Sequence, residues 1–130
     1  MSISVGARGC AETTVTEQNT ALAMGSGLLP VFATPAMAAL LEAAAVNACQ
    51  AGLEEGQGTV GTHLDISHDA ATPVGMTVRA EAEVTAVDGR AVTFAVRAFD
   101  EAGQIGGGTH QRFVIDNDRF LSKAQKRGAK

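Results

Sequence analysis

Between Pro35 and Cys49 the chain runs PAMAALLEAAAVNAC, a stretch in which Glu42 is the only charged residue. Ala, Leu and Met lose little on entering a helix, so the stretch reads as one. Thr34-Pro35 supplies an N-cap followed by proline at the first helical position, and Gly52, after Ala51, suits the C-terminus. At about 100° per residue, Met37, Leu40, Leu41, Ala44 and Ala48 fall on one stripe, with Glu42 at its edge. A helix apolar nearly all round is a buried one. Three and four residues from Glu42 stand Ala38, Ala39, Ala45 and Val46, so no cation on the same helix can pair with it. A buried lone carboxylate is costly unless something distant in sequence hydrogen-bonds it. Glu42 therefore either reaches solvent through a gap or meets a partner from another element.

The rest of the chain narrows the class. Its 130 residues make one domain with a real core. A net charge of −4, with no Trp or Tyr, leaves neither the basic stripe nor the stacking surface of a nucleic-acid binder. The locally basic tail Lys123–Lys130 reads as a solvated terminus able to touch the phosphates of a small ligand. Cys10 and Cys49 lack CxxC spacing and indicate no zinc or redox site; Cys49, inside the apolar run, reads as a small buried hydrophobe. The N-terminus has no signal-peptide core, and the apolar run is too short to span a membrane. These features predict a soluble protein of the reduced cytoplasm, with no nucleic acid or membrane as partner.

Around the helix the period is two. Ala11–Gln18 predicts a first strand, and Asn19–Pro30, with GSGLLP, a loop. After the EEGQG turn, Thr59–His68 places Val60, Thr62, Leu64, Ile66 and His68 on one face. Met76–Val87 sets Met76, Val78, Ala80, Ala82, Val84 and Ala86 inward. Asp88-Gly89 predicts a hairpin into Arg90–Asp100, with Val92, Phe94, Val96 and Ala98 together. EAGQ then turns the chain into Ile105–Asp116, and residues 118–130 form a short helix and tail. One strand, one apolar helix and four strands make an α+β fold, an antiparallel sheet wrapped around a single central helix. Such a sheet has edge strands, and continuing it across a two-fold predicts a homodimer.

His68 ends its strand on the inward face. It is either a satisfied core histidine or a base, and a Glu on the helix that the sheet covers can approach it as partner. Thr34 is either a plain N-cap or a hydroxyl beside free N–H groups and a positive dipole end, a suitable place for a reacting carbonyl. Gly106-Gly107-Gly108 precedes a strand run and fits no phosphate-binding fingerprint, so it reads as a bulge or close backbone packing. His63 and Asp65 point outward and receive no role. His110 and Arg112 share strand parity; Arg112 is a candidate for an anionic ligand, although local sequence favours a solvated strand charge.

Three segments carry a resemblance: VFATPAMAALLEAA, GTVGTHLDISHDAATPVGMTV and IGGGTHQRFVID. Together, in this order from about Pro30 to Phe120, they resemble the fluoroacetyl-CoA thioesterase type of hotdog-fold thioesterase, including its T-x₇-E spacing and HDAATPVG-like segment. The resemblance implies a hotdog fold and hydrolysis of a small acyl-CoA to free acid and CoA. It implies catalytic positions at Thr34, Glu42 and His68, and substrate-side positions at Gly61, Arg112 and Phe32. It implies neither metal nor cofactor, coenzyme A being part of the substrate. Glu42 or Thr34 attacking the thioester, and water activated by His68 and Glu42, both fit. Fluoroacetate-selective members carry aromatic residues just ahead of the VFAT segment, whereas here Gly25–Leu29 reads GSGLL; another small acyl group is expected. A non-catalytic hotdog module that binds acyl-CoA is the rival reading, and a hotdog hydratase or dehydratase a weaker one.

Overall fold

The computed structural model describes residues 1–129. Strand β1 (Arg8–Thr14) is followed by a one-turn helix α1 (Ala21–Met24) and the long helix α2 (Thr34–Cys49), which runs on through a 3₁₀ turn at Gln50–Gly52. Four strands follow, β2 (Gln57–His68), β3 (Thr77–Asp88), β4 (Ala91–Asp100) and β5 (Gly103–Asp116), then helix α3 (Asn117–Gly128). The strands form one antiparallel sheet in the order β1-β3-β4-β5-β2, so β1 and β2 are its edges. The α+β architecture is that read from the periodicity. The first strand lies earlier than the Thr-rich stretch suggested, and the expected loop contains α1, capped by the Thr20 hydroxyl at the Ala23 N–H, 3.2 Å.

The sheet curls over α2, whose Met37, Leu40, Leu41, Ala44, Ala45, Ala48 and Cys49 are buried. Opposite them lie Val78, Ala80, Ala82 and Val84 of β3 and Val92, Phe94, Val96 and Ala98 of β4. The small residues let helix and sheet approach closely, while each large side chain such as Phe94 contributes about 1.5–3 kcal/mol by burial. Cys49 belongs to this core as a free thiol, and burial pushes its pKa up.

Three strands break the simple alternation, β5 among them: its register against β4 shifts at Ile105, which lies between Gly106, opposite Ala98, and Gln104, opposite Phe99. In β3 the register shifts between Val84 and Ala86, and Ala86, expected inward, is exposed while Val87 packs against the core. In β2 the register shifts between Gly61 and His63, leaving Thr62 as the extra residue of a bulge. One inserted residue flips the strand's faces. Before the bulge Thr59 and Gly61 face inward, and Val60 and Thr62 do not share the face of Leu64, Ile66 and His68. The Gly106–Gly108 run allows the close β2–β5 approach that its composition suggested. A Cβ at Gly106 or Gly108 would collide with the backbone carbonyl of Ser67 or Asp65 respectively.

Candidate active site

Thr34 opens α2, but its hydroxyl does not cap the helix. Ala33 occupies the N-cap position, Pro35 lies in the first turn, and no side chain caps the N-terminus. The Thr34 Oγ1 instead lies 2.8 Å from His68 Nδ1. Two backbone links hold this geometry. Phe32 N–H donates to the Thr72 carbonyl, 2.8 Å, and Val31 bridges Pro73. The Thr72 hydroxyl, fully buried, donates to Asp100 Oδ2 at 2.8 Å. The AATP segment after His68 thus clamps the VFAT segment before Thr34. The pair lies on the wall of a crevice of about 320 Å³, with Ser26, Phe32 and Ala71 also lining it. Phe32 is 1% exposed and belongs to the core as much as to the crevice. Ahead of it Leu28 and Leu29 stand exposed.

Glu42 lies two turns further along α2, about 12 Å from Thr34 along the axis at 1.5 Å per residue. Its partner is Arg112 of β5, not His68: Arg112 Nη1 donates to Glu42 Oε2 at 3.2 Å. The expected approach of Glu42 to His68 is not made within one chain: Arg112, which holds Glu42, and Gly106, which pairs with His68, stand six residues apart on β5, about 20 Å at about 3.3 Å per residue. Gly61, register partner of Arg112, lies under this pair, and a Cβ there would come 2.8 Å from Glu42 Oε2. Arg112 is not a solvated strand charge. It is 6% exposed, and it also donates through Nε to the Thr59 hydroxyl (2.8 Å) and through Nη2 to the Thr59 carbonyl (3.0 Å). A guanidinium is buried at tolerable cost only when its donors are so occupied.

The predicted residues therefore form two clusters: Thr34 with His68 and Phe32, and Glu42 with Arg112 and Gly61. Sequence reasoning gave no role to Thr59, Thr72 or His110. Thr59 had a signal, since it lies two residues before Gly61 on the same face. Among the described residues His68 Nε2 is buried with no hydrogen-bond partner, and no group of three or more His, Cys, Asp or Glu is placed to hold a metal. A hydroxyl against an imidazole nitrogen is the arrangement of a nucleophile and its base.

A model described as the fluoroacetyl-CoA-specific thioesterase family matches residues 15–118. The fluoroacetyl-CoA thioesterase of Streptantibioticus cattleyicolor is 43% identical over 97 residues, covering 75% of this chain and 70% of that protein. The chain belongs to the fluoroacetyl-CoA-specific thioesterase family. Its structure agrees with this family at full length. A solved fluoroacetyl-CoA thioesterase superposes with a TM-score of 0.90 at 36% identity, over 97% of this chain and 98% of that one. A thioesterase superfamily member from Thermus thermophilus gives a TM-score of 0.88 at 27% identity, over 97% and 93%. The fold is the hotdog, and the chain is an acyl-CoA thioester hydrolase.

Proposed function

We propose that this hydrolase cleaves a small acyl-CoA with Thr34, His68 and Glu42 as its catalytic groups, in a homodimer whose sites draw on both chains. The observation that carries the reading is the 2.8 Å contact between Thr34 Oγ1 and His68 Nδ1 at a crevice wall. His68 accepts the Thr34 proton as the oxygen attacks the thioester carbonyl, the CoA thiolate leaves and is protonated, and water releases the acid from the acyl-enzyme. The helix N-terminus beside Thr34 favours negative charge on the carbonyl oxygen. These steps call on no metal or cofactor; CoA enters as substrate, and Gly61 and Phe32 are assigned to its side of the site, while Arg112, whose donors go to Thr59, Glu42 and His110, is assigned to holding Glu42. Leu28 and Leu29, exposed where fluoroacetate-selective members carry aromatic residues, favour a small acyl group other than fluoroacetyl.

Dimerisation answers the separation of Glu42 from His68. β2 is an edge strand with a free row of backbone donors and acceptors. Antiparallel pairing of two β2 strands about a point near Leu64-Asp65 sets Gly61, and the Glu42 beside it, opposite the partner's His68. A carboxylate there would accept from Nε2, the ring nitrogen that lacks a partner, and fix the tautomer with Nδ1 free to take a proton. Two free cysteines, one of them exposed, favour the reducing cytoplasm as its compartment.

Thiol release from acetyl-, butyryl- and hexanoyl-CoA tests the reading. Turnover is expected to fall with acyl length, and His68→Ala and Thr34→Ala to lower kcat by about a hundredfold or more. Mass spectrometry of Thr34→Ser quenched in the steady state is expected to show an acyl adduct on the helix peptide. Thermal stabilisation by CoA with no turnover would identify a binding module instead.

A further inference from the structure

His110 is 1% exposed, on β5 two residues before Arg112, and its ring stacks on Phe94 of β4 with centroids 5.7 Å apart. Both ring nitrogens are engaged. Nδ1 lies 2.7 Å from the backbone carbonyl oxygen of His63, and Nε2 lies 3.2 Å from Arg112 Nη1. A carbonyl only accepts and a guanidinium only donates, so Nδ1 carries the hydrogen and Nε2 the lone pair. The ring is the neutral Nδ1–H tautomer.

We propose that His110 is a positioning residue of the thioesterase: its Nε2 lone pair orients the Arg112 guanidinium so that the same Nη1 presents a hydrogen to Glu42. The inference rests on the reading of Glu42 as a catalytic group. Nη1 has two hydrogens, and the structure gives one to His110 and one to Glu42. Thr59 holds the edge of the planar guanidinium that carries Nε and Nη2, leaving tilt of the plane about that edge, which would carry Nη1 toward or away from Glu42, as the freedom that His110 removes. A protonated His110 would set an N–H against an N–H and a second positive charge against Arg112. The charged and titratable groups around the ring are Arg112 on its own strand, Glu42 on α2 and His63 on β2; burial, Arg112 and the His63 imidazole lower its pKa, while the His63 carbonyl and Glu42 oppose them.

Two substitutions of similar size separate positioning from packing. His110→Gln can return an amide oxygen to the Nε2 position and accept from Arg112. His110→Asn can return an N–H to the Nδ1 position for the His63 carbonyl but offers Arg112 nothing. With acetyl-CoA as the probe, His110→Asn is expected to lower kcat about tenfold or more, and His110→Gln no more than about threefold, with KM changed less than about threefold in either. Equal losses in both, or none in both, would overturn the proposal. Glu42→Gln is measured alongside. Full activity in that variant removes the reading of Glu42, whereas its loss together with equal His110 variants removes the His110 proposal alone. If either His110 variant fails to fold, the ring 15N signals of the wild-type protein decide. A neutral ring protonated at Nδ1 at pH 7 supports the proposal, and an Nε2–H or cationic ring overturns it.

Discussion

At His110, two hydrogen bonds of opposite sense and a buried site favour the neutral ring, and this gives the protein a pH dependence that belongs to one residue. Its pKa is lowered from the ordinary 6.5, first by burial. The unfolded chain therefore binds the proton more readily than the folded one, and unfolding takes up a proton below about pH 6.5. Stability contributed by the neutral ring is complete above that pH and declines as the pH falls through it toward the lowered folded value. Thermal melts of wild type and His110→Gln between pH 7.5 and 5 check this. The variant should start lower and lose less Tm on acidification, and parallel curves would count against it. Glu42 shows what a single residue's neighbours in sequence can reveal. The absence of a cation within one turn left solvent or a distant partner, and the structure gives Glu42 both: its side chain is 42% exposed, and its partner Arg112 lies 70 residues away. Parity marked Arg112 as inward while its charge argued for solvent. Only the meeting of Glu42, Thr59 and His110, from three elements, makes its burial tolerable.

Strand β2 is the element on which reading and structure part. The alternation of β3 and β4 was legible because their inward positions are apolar at every second residue, up to the shift at Val84. β2 carries no such pattern across Val60, Gly61 and Thr62, and its bulge exists only as a mismatch in count against β5. Without it, Gly61 and His68, seven apart, would face opposite sides. Glycine at 61 is what lets the Glu42 carboxylate lie over the strand. Gly61→Ala brings a methyl 2.8 Å from Glu42 Oε2, the far end of a flexible side chain, and 3.3 Å from Arg112 Nη1. The side chain can swing away, so the fold should hold, within about 1 kcal/mol, while the displaced carboxylate lowers kcat about tenfold or more. Gly108→Ala meets the Asp65 carbonyl oxygen, with the Ile66 Cα 3.0 Å away. Backbone cannot swing aside, and that variant should lose about 3 kcal/mol or more in a denaturant titration. If Gly61→Ala were the less stable of the two, the distinction between a crowded side chain and crowded backbone would fail.

On the scale of the whole molecule, the order of elements was readable because one apolar helix and five strands have few ways to cover each other. The division of the site into two clusters was not, since sequence spacing along α2 says nothing about which strand lies over each turn. The proposed dimer makes that division a matter for experiment. A site composed of Thr34 and His68 from one chain and Glu42 and Arg112 from its twin is inactivated by His68→Ala in one chain or by Glu42→Ala in the other. Coexpressed with separate tags, the two variants pair at random, and about half the dimers are mixed. Each mixed dimer has one site with both defects and one with neither. The mixture should then recover about a quarter of the wild-type activity per site, and purified mixed dimers about half, although each variant alone is nearly inactive. If the three residues instead acted within a single chain, every chain would retain its own defect, and mixed dimers would be as inactive as their parents. Sites complete in each chain and sites shared between chains thus give opposite results from the same two substitutions. The orphan Nε2 of His68 and the open edge of β2 favour recovery.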